Sequence, residues 1–469
     1  MLAKLEKKLE EIDQQQLLSF WNQLNENERK TLQHDIESLD TDRIIKLRKI
    51  LSEKDKQENL YQPGNFKPAD VDTLPKTAQE KEKRRAAFRI GEKAIKEGTV
   101  GAILVAGGQG TRLGFHGPKG VFPVGPVTDK SLYQYFLERL LALERRYSTR
   151  IPLYVMTSEK NHHETKEFFL EHDYFGKERN SVVFFQQGML PTFDENGKIF
   201  LEEKYKISKA PDGHGGLLNA LKENTLFEDM KNRGLENLFY FQVDNILVQI
   251  CDPAFIGMHL QKDADLSAKT VYKSDPFEKL GNIGIINDTY VTVEYTELSE
   301  EEKKARDQEG KLVFGQGSIA VHVFSRKFLQ RFASDELELP YHIAHKKIIH
   351  IDDGGKKIEP DKPNGYKLEQ FIFDTFPIAE RVVVMETERD KDFSPIKNAE
   401  GTDSPQTARQ HLNNYFGSWL DRAGYELERD QEGNVQHQIE VSPLYALDEE
   451  EFISKIPKDL QIKDKMIFE

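Results

Sequence analysis

Apolar residues recur at three- and four-residue intervals over the first 58 residues, and this spacing predicts helices. The repeats are Leu2, Leu5, Leu9 and Ile12, then Leu32, Ile36 and Leu39, then Ile44, Leu47 and Ile50. We interpret the region as a helical cap that packs on the main domain, with a partner-binding or regulatory arm as the alternative. A stretch rich in proline, glycine and aspartate, residues 61–75, then predicts a linker.

From residue 99 to about residue 385, short apolar runs alternate with amphipathic segments. Buried strands are predicted at Val100–Val105, 151–158, 181–187 and 236–244, and helices at 161–171 and 215–234. This β-α-β alternation predicts an α/β fold with a doubly wound, mostly parallel, Rossmann-like sheet. Ligands of such sheets bind at the carboxyl ends of the strands.

Other segments complete the predicted organisation. A charged helix over 78–97 ends at Gly98, and residues 266–325 read as a region of mixed short strands. A further helix is predicted over 406–423, followed by short apolar runs and turns. We therefore divide the chain into a helical region with linker (1–75), a central α/β domain (76–400) and a small C-terminal domain (401–469).

Composition narrows the class of protein. The 469 residues carry a formal net charge of −14, which disfavours binding to nucleic-acid polymers or to membrane surfaces. Mean hydropathy is −0.64, and the N-terminus lacks the apolar core of a signal peptide. Cys251 is the only cysteine, so an intramolecular disulfide is excluded. We expect a soluble cytoplasmic protein, a monomer or a weak homo-oligomer.

A glycine-rich loop follows the first predicted strand. Gly107, Gly108 and Gly110 allow a ligand to approach the backbone closely, and successive N–H groups can cradle an anion. Arg112 and Lys119 add positive charge. The loop lacks the third glycine and helix of a dinucleotide fingerprint, and it lacks the Gly-Lys-Ser/Thr of a P-loop. The pattern predicts a phosphate or nucleotide site of another kind.

The motif GGQGTRLG followed by PKG resembles the signature of eukaryotic-type UDP-sugar pyrophosphorylases, especially the UDP-N-acetylglucosamine pyrophosphorylases. Further segments similar to that family extend from about residue 60 to about residue 420, among them APDGHGG, QVDNILV, VEYTELS and FSPIKN. The resemblance implies a UTP:sugar-1-phosphate uridylyltransferase, with residues 76–400 as its catalytic nucleotidyltransferase domain. The sugar phosphate would attack the α-phosphorus of UTP in line, and pyrophosphate would leave.

The resemblance also implies residue roles. Arg112, Lys119 and Lys397 would be catalytic cations, and Asp244 would bind Mg²⁺ at a strand end. The implied nucleotide-binding residues are Leu104, Ala106, Gly107, Gly108, Gly110, Gln187, Gly213 and His214. The implied sugar-binding residues are Asp244, Asn245, Gly281, Glu294, Tyr295, Ser318, Phe371 and Phe373.

Two positions depart from the pattern of the N-acetylglucosamine enzymes. His214 and Ser318 stand where those enzymes have asparagines on the sugar side. N-acetylglucosamine 1-phosphate is the expected substrate, and the broad UDP-glucose or UDP-galactose pyrophosphorylases are the alternative. A glycosyltransferase or a non-catalytic UDP-sugar sensor are the alternatives from other classes. The glycosyltransferase usually carries Asp-x-Asp where this chain has Asp244 and Ile246.

Overall fold

The computed structural model describes residues 2–54, 61–334 and 337–469. Two compact units make up the chain. The small unit consists of Met1–Leu60, Gln187–Asn219 and Glu338–Asp374. The large unit consists of Tyr61–Gln186, Ala220–Leu337 and Thr375–Glu469. Both units are therefore assembled from segments that are far apart in the chain.

Within the described residues, the α-helices are α1 Leu2–Glu11, α2 Glu26–Ser38, α3 Thr41–Ser52, α4 Ala78–Lys96, α5 Leu132–Tyr147, α6 His162–Glu171, α7 Leu217–Glu223, α8 Leu226–Asn232, α9 Pro253–Gln261, α10 Glu300–Lys304, α11 Arg326–Gln330, α12 Arg389–Asp392, α13 Pro405–Arg422 and α14 Glu449–Lys455. The strands are β1 Lys67–Pro68, β2 Val71–Asp72, β3 Val100–Val105, β4 Leu153–Thr157, β5 Val182–Gln186, β6 Met189–Pro191, β7 Phe193–Asp194, β8 Leu201–Glu203, β9 Lys206–Ile207, β10 Lys209–Pro211, β11 Asn237–Gln242, β12 Leu266–Tyr272, β13 Asn282–Ile286, β14 Thr289–Val293, β15 Gln316–Ser325, β16 His342–Lys346, β17 His350–Ile351, β18 Lys357–Ile358, β19 Gly365–Glu369, β20 Val382–Glu386, β21 Gln438–Val441 and β22 Lys465–Phe468.

An 11-stranded sheet organises the large unit, with the main strand order β2-β20-β12-β15-β11-β3-β4-β5. Strands β11, β3, β4 and β5 pair in parallel, as do β2, β20 and β12. Strand β15 lies between the two groups and runs antiparallel to both β11 and β12. The predicted α/β fold with a mostly parallel central sheet is confirmed.

The strands of this sheet are apolar because both of their faces are covered. Every side chain of β3 is buried except that of Val105, which is half-buried, and all five residues of β4 are buried. The large hydrophobic core contains Leu104 and Phe241 of the sheet, Phe136 of α5 and also Trp419 and Phe452. The C-terminal segment thus shares its core with the sheet.

The N-terminal helices have a core of their own in the small unit. Leu9, Leu32 and Leu47 pack in one cluster with Phe193 and Leu368, which come from two later segments of the chain. The prediction of helices is confirmed over residues 2–54, and residues 55–58 lie outside the described part of the chain. Helix α2 begins at a capping box formed by Asn25 and Glu28, which satisfies the first N–H groups of the helix.

Several predicted boundaries are corrected. The helix predicted over 215–234 is two helices, because Thr225 has a φ of +57° and interrupts the hydrogen-bonding pattern. The strand predicted to end at Asp244 ends at Gln242, so Asp244 lies in the turn that follows. The linker contains β1 and β2, which pair with β13 and β20.

Other predicted elements are confirmed. Helix α4 begins at a capping box formed by Thr77 and Glu80 and ends before Gly98, whose φ is +71°. The region of mixed strands contains β12 to β15, and the helix predicted over 406–423 is α13. The division into three consecutive domains stays a prediction. Among the described residues, the structure contains no helix that is both long and apolar enough to span a bilayer.

Candidate active site

The glycine loop in the large unit folds back on itself directly after β3. The Gly110 N–H donates to the Gly117 carbonyl at 2.9 Å, and the Lys119 N–H donates to the Gly108 carbonyl at 3.1 Å. These bonds place Lys119 beside Gly108, although eleven positions separate them in the sequence. The hydrogen bond from the Gly110 N–H to the Gly117 carbonyl therefore closes the loop. The loop is anchored by Asn161, whose Nδ2 donates to the carbonyls of Ala106 at 2.9 Å and Gly108 at 3.3 Å.

Gly108 is exposed and faces open space. A Cβ built on it would meet no protein atom within 4 Å, which leaves room for a ligand to lie against the backbone. Gly107 is half-buried beside it. The side chains of Leu104 and Ala106 belong to the hydrophobic core, so these two residues can offer a ligand only their backbone. The loop can therefore cradle an anionic group against its main chain.

A carboxylate and three cations surround the loop. Lys119 Nζ lies 4.0 Å from Asp244 Oδ2, and the two side chains are only 14% and 18% exposed. Burial lowers the pKa of Lys119; the nearby Lys397 and Arg112 also lower it, while Asp244 raises it. Arg112 itself is exposed on the loop. Positive charge that is this concentrated and partly desolvated suits the binding of a polyphosphate.

The segment that carries Lys397 is tied to the turn after β11. The Ile396 N–H donates to the Asp244 carbonyl at 2.8 Å. The side chain of Asn245 donates to the Asp392 carbonyl at 2.7 Å and accepts from the Ser394 N–H at 2.8 Å. The Asn245 amide thus holds the backbone that leads to Lys397. We predicted a sugar contact for Asn245, and its hydrogen bonds in the structure instead indicate a positioning role.

Below this segment lies a buried ionic cluster that the sequence reasoning missed. Lys269 is fully buried and contacts the carboxylates of Asp392 and, at 2.9 Å, Asp252. Burial lowers the pKa of Lys269, but the two carboxylates outweigh that effect and raise the pKa above its ordinary value. Asp392 Oδ1 also accepts from the Gln249 N–H at 2.8 Å. The cluster fixes the beginning of the segment that ends at Lys397.

Three of the predicted sugar-binding residues of the large unit meet where β13, β14 and β15 come together. The Ser318 N–H donates to the Gly281 carbonyl at 2.8 Å. A Cβ on Gly281 would lie 3.6 Å from Glu294 Oε1. Tyr295 follows directly and is half-buried. The structure therefore brings Gly281, Glu294 and Ser318 together, and their contact with a sugar stays a prediction.

The predicted residues of the small unit form a second cluster. Gln187 Nε2 donates to the Gly213 carbonyl at 2.7 Å. Gly213 has a φ of +85°, and a Cβ there would lie 2.3 Å from the Gln370 carbonyl oxygen, so only glycine fits. The ring of His214 packs against those of Phe371 and Phe373, with centroids 5.3 and 5.5 Å away.

His214 is held in one tautomer. Its Nδ1 lies 3.0 Å from the Ile372 N–H and accepts from it, so the proton of the neutral ring is on Nε2. Burial and the neighbouring His342 lower the pKa of His214 to about 4. At neutral pH the ring is therefore uncharged, and Nε2 can only donate.

Comparison with known proteins identifies the family. Residues 44–452 match the model of the family described as UTP–glucose-1-phosphate uridylyltransferase. The chain belongs to this family. UDP-N-acetylhexosamine pyrophosphorylase-like protein 1 of Xenopus tropicalis is 37% identical over 441 residues, which cover 89% of this chain and 84% of the relative. UDP-N-acetylglucosamine pyrophosphorylase of Saccharomyces cerevisiae is 38% identical over 431 residues, which cover 88% and 90%.

A solved structure agrees with this assignment to the uridylyltransferase family. The crystal structure of the UDP-N-acetylglucosamine pyrophosphorylase of Trypanosoma brucei, determined with an inhibitor, superposes with a TM-score of 0.82 at 26% identity. The match covers 99% of this chain and 97% of that protein. The predicted resemblance is thus confirmed at the level of sequence and fold.

The arrangement of the acidic residues bears on metal binding. Over residues 2–54, 61–334 and 337–469, the structure contains no group of three or more His, Cys, Asp or Glu side chains arranged to hold an ion. The partly buried carboxylate of Asp244 stands next to the cations of the loop. Mg²⁺ in phosphate sites uses one or two carboxylates together with phosphate oxygens and water, so this donor set fits an ion that arrives with a nucleotide.

Proposed function

We propose that the chain transfers a uridylyl group from UTP to a sugar 1-phosphate, giving a UDP-sugar and pyrophosphate, with N-acetylglucosamine 1-phosphate as the sugar phosphate. The observation that carries the proposal is the cluster of Arg112, Lys119, Lys397 and Asp244 around a glycine loop at the carboxyl end of parallel strands. Family membership and the names of similar proteins support the same reaction.

Such a reaction requires positioning and charge neutralisation more than covalent help from the protein. The backbone at Gly107 and Gly108 cradles the phosphates. Arg112 and Lys119 hold the β- and γ-phosphates and then the departing pyrophosphate, whose charge grows as its bond to the α-phosphorus breaks. Lys397 neutralises the α-phosphate. The attacking phosphate oxygen is already ionised at neutral pH, so no general base is needed.

Mg²⁺ is the cofactor that we propose, with Asp244 as its protein ligand. When bound, the ion would neutralise phosphate charge and help to fix the orientation of the triphosphate. Before the ion and the nucleotide bind, the positive charge of Lys119 compensates for the negative charge of the Asp244 carboxylate. Asn245 and Asp392 hold the chain on which Lys397 is placed.

The remaining contacts concern the uracil and the sugar. In the small unit, Gln187 and Gly213 present an amide and a backbone group for the edge of the uracil ring, and the Nε2–H of His214 donates to the substrate. The neighbouring rings of Phe371 and Phe373 form an aromatic surface against which the substrate packs. In the large unit, the carboxylate of Glu294 accepts from sugar hydroxyls, next to Tyr295, Gly281 and Ser318.

A second kind of sugar substrate is favoured by two residues, His214 and Ser318. Toward a substrate, Nε2 of His214 can only donate, whereas an asparagine at this position could both donate and accept. Ser318 is also shorter than asparagine, so its hydroxyl reaches less far toward an acetamido group. Glucose 1-phosphate and galactose 1-phosphate, which lack the acetamido group, are therefore the alternative substrates. We further propose that the enzyme works in the cytoplasm as a monomer or weak homo-oligomer, in keeping with its single, buried cysteine.

The deciding experiment measures pyrophosphate release from UTP with separate N-acetylglucosamine, glucosamine, glucose and galactose 1-phosphates. Each reaction is run with Mg²⁺ and with excess EDTA, and a reaction without sugar phosphate is the control. Release with N-acetylglucosamine 1-phosphate that EDTA abolishes is the expected result. Preference for glucose or galactose 1-phosphate would establish the alternative substrate. UTP binding without release in any tube would refute the proposal and favour a sensor.

A further inference from the structure

A buried carboxylate lies at the start of the loop formed by residues 212–216 of the small unit, which contains Gly213 and His214 and is called the substrate loop below. Asp212 directly precedes Gly213 and His214, and its side chain is completely buried. A Cβ on Gly188 would lie 2.3 Å from Asp212 Oδ2, and a Cβ on Gly216 would lie 2.0 Å from Asp212 Oδ1. The carboxylate therefore fills the space that two glycines leave open, and it packs against the backbone on both sides of the loop.

The main chain around Asp212 is also fixed, by backbone hydrogen bonds. The Asp212 N–H donates to the Gly188 carbonyl at 3.1 Å, and the Asp212 carbonyl accepts from the Gln370 N–H at 2.7 Å. The Gly215 N–H donates in turn to the Gln370 carbonyl at 2.8 Å. A shift of the Asp212 side chain would consequently move the two residues that follow it.

A cation from the N-terminal helices faces this carboxylate. Arg43, on α3, has its Nη2 atom 3.9 Å from Asp212 Oδ2, and its side chain is 23% exposed. Arg43 Nε donates to the Tyr341 hydroxyl at 3.1 Å, and that hydroxyl donates to Glu338 at 2.7 Å. The guanidinium is thus oriented by a second contact and directed at Asp212. A fully buried carboxylate is costly without a compensating charge, so the position of this arginine matters to the loop.

We propose that Arg43 is a positioning residue for substrate binding. Its charge holds the Asp212 carboxylate in place, and Asp212 sets the backbone of Gly213 and the ring of His214. The N-terminal helices are then part of the substrate-binding machinery, which goes beyond the cap or partner-binding arm expected from the sequence. The inference rests on the proposed function, because it assigns the loop to the nucleotide and the sugar.

The test compares UTP binding by calorimetry, and steady-state kinetics, in the full-length protein and its variants. Arg43→Met is expected to raise the Kd and the KM for UTP by about tenfold, since it leaves a buried charge uncompensated, while kcat changes by less than about threefold. Arg43→Lys keeps a positive charge and is expected to restore most of the affinity. If Arg43→Met does not fold, Arg43→Gln replaces it.

A matched control lies on the same helix. Arg48 is similarly exposed, at 26%, and pairs with Asp13 at 2.7 Å, away from the loop. Arg48→Met is expected to lower the melting temperature without changing the KM for UTP. Asp212→Asn combined with Arg43→Met should weaken binding by less than the product of the two single effects, because the two charges act as a pair.

The outcomes separate the two proposals. If the wild-type protein is active and Arg43→Met shifts the Kd for UTP no more than Arg48→Met does, the role of Arg43 is refuted while the proposed function stands. Single effects that multiply in the double variant would also refute it. If the wild-type protein binds UTP but releases no pyrophosphate, the proposed function fails, and the binding measurements still decide the role of Arg43. No UTP binding by the wild-type protein would refute both.

Discussion

Replacing Lys119 with methionine tests the proposed mechanism most directly. Methionine has a similar length and keeps the apolar part of the side chain, so the variant removes the charge with little change in packing. Lys119 is 14% exposed and its Nζ lies 4.0 Å from Asp244 Oδ2. Its backbone N–H, which closes the glycine loop onto Gly108, is retained in the variant. The loop should therefore keep its shape.

The size of the effect follows from the geometry. At a separation of about 4 Å and an effective dielectric constant of about 20, two unit charges interact by about 4 kcal/mol. The charge that develops on the leaving pyrophosphate is only a fraction of a unit, and Arg112 and Lys397 compensate for part of the loss. A decrease in kcat of about 10²- to 10³-fold is expected, which is typical when one transition-state donor is removed.

The assay is pyrophosphate release at saturating UTP and sugar 1-phosphate, with UTP binding measured in parallel. Lys119→Arg keeps the charge and should retain more activity than the methionine variant. Lys160→Met is the control, because Lys160 is an exposed lysine that follows β4, the neighbour of β3 in the sheet. It should leave kcat within about twofold, as is usual for surface substitutions. An unchanged kcat for Lys119→Met would remove Lys119 from the mechanism.

Three further predictions concern other parts of the molecule. Gly108→Ala should leave the melting temperature unchanged, because a Cβ at this position meets no protein atom. The same variant should raise the KM for UTP at least about tenfold, because the Cβ occupies the space proposed for the nucleotide. An unaltered KM would show that the nucleotide binds elsewhere. His214→Asn and Ser318→Asn, made singly and together, should raise the kcat/KM for N-acetylglucosamine 1-phosphate relative to glucose 1-phosphate, and a constant ratio would show that these positions do not select the sugar. Burial lowers the pKa of His259 from 6.5 to about 4. As the pH falls, the imidazole is therefore protonated in the unfolded chain before it is protonated in the folded protein. The folded state consequently loses stability between about pH 6.5 and pH 4. Urea denaturation should show a loss of up to about 3 kcal/mol that His259→Gln reduces, and equal losses in both proteins would refute this assignment.

The sequence was most informative where a structural signal is local. Six consecutive apolar residues predicted β3, and the glycines after it predicted a loop that can receive an anion. The strand before Asp244 was also recognised, although it ends two residues earlier than predicted. These features depend on neighbouring residues, because burial of a strand and freedom of the backbone are properties of short segments.

Features that depend on distant pairing could not be predicted in this way. The antiparallel insertion of β15 between β11 and β12 joins strands that are tens of residues apart. Asn245 was predicted to bind sugar, but its amide is engaged by the backbone of a segment almost 150 residues later. An asparagine in isolation gives no indication of which backbone it will meet.

The sequence by itself determined the class of fold, the family and the residue types around the phosphate-binding loop. Only the tertiary structure decided that the N-terminal helices share a core with two later segments and that Arg43 faces Asp212. The physical reason is that hydrophobic periodicity specifies which face of an element is buried but not against which partner. A buried carboxylate and its counter-charge, in particular, can be recognised as a pair only once the chain has brought them together.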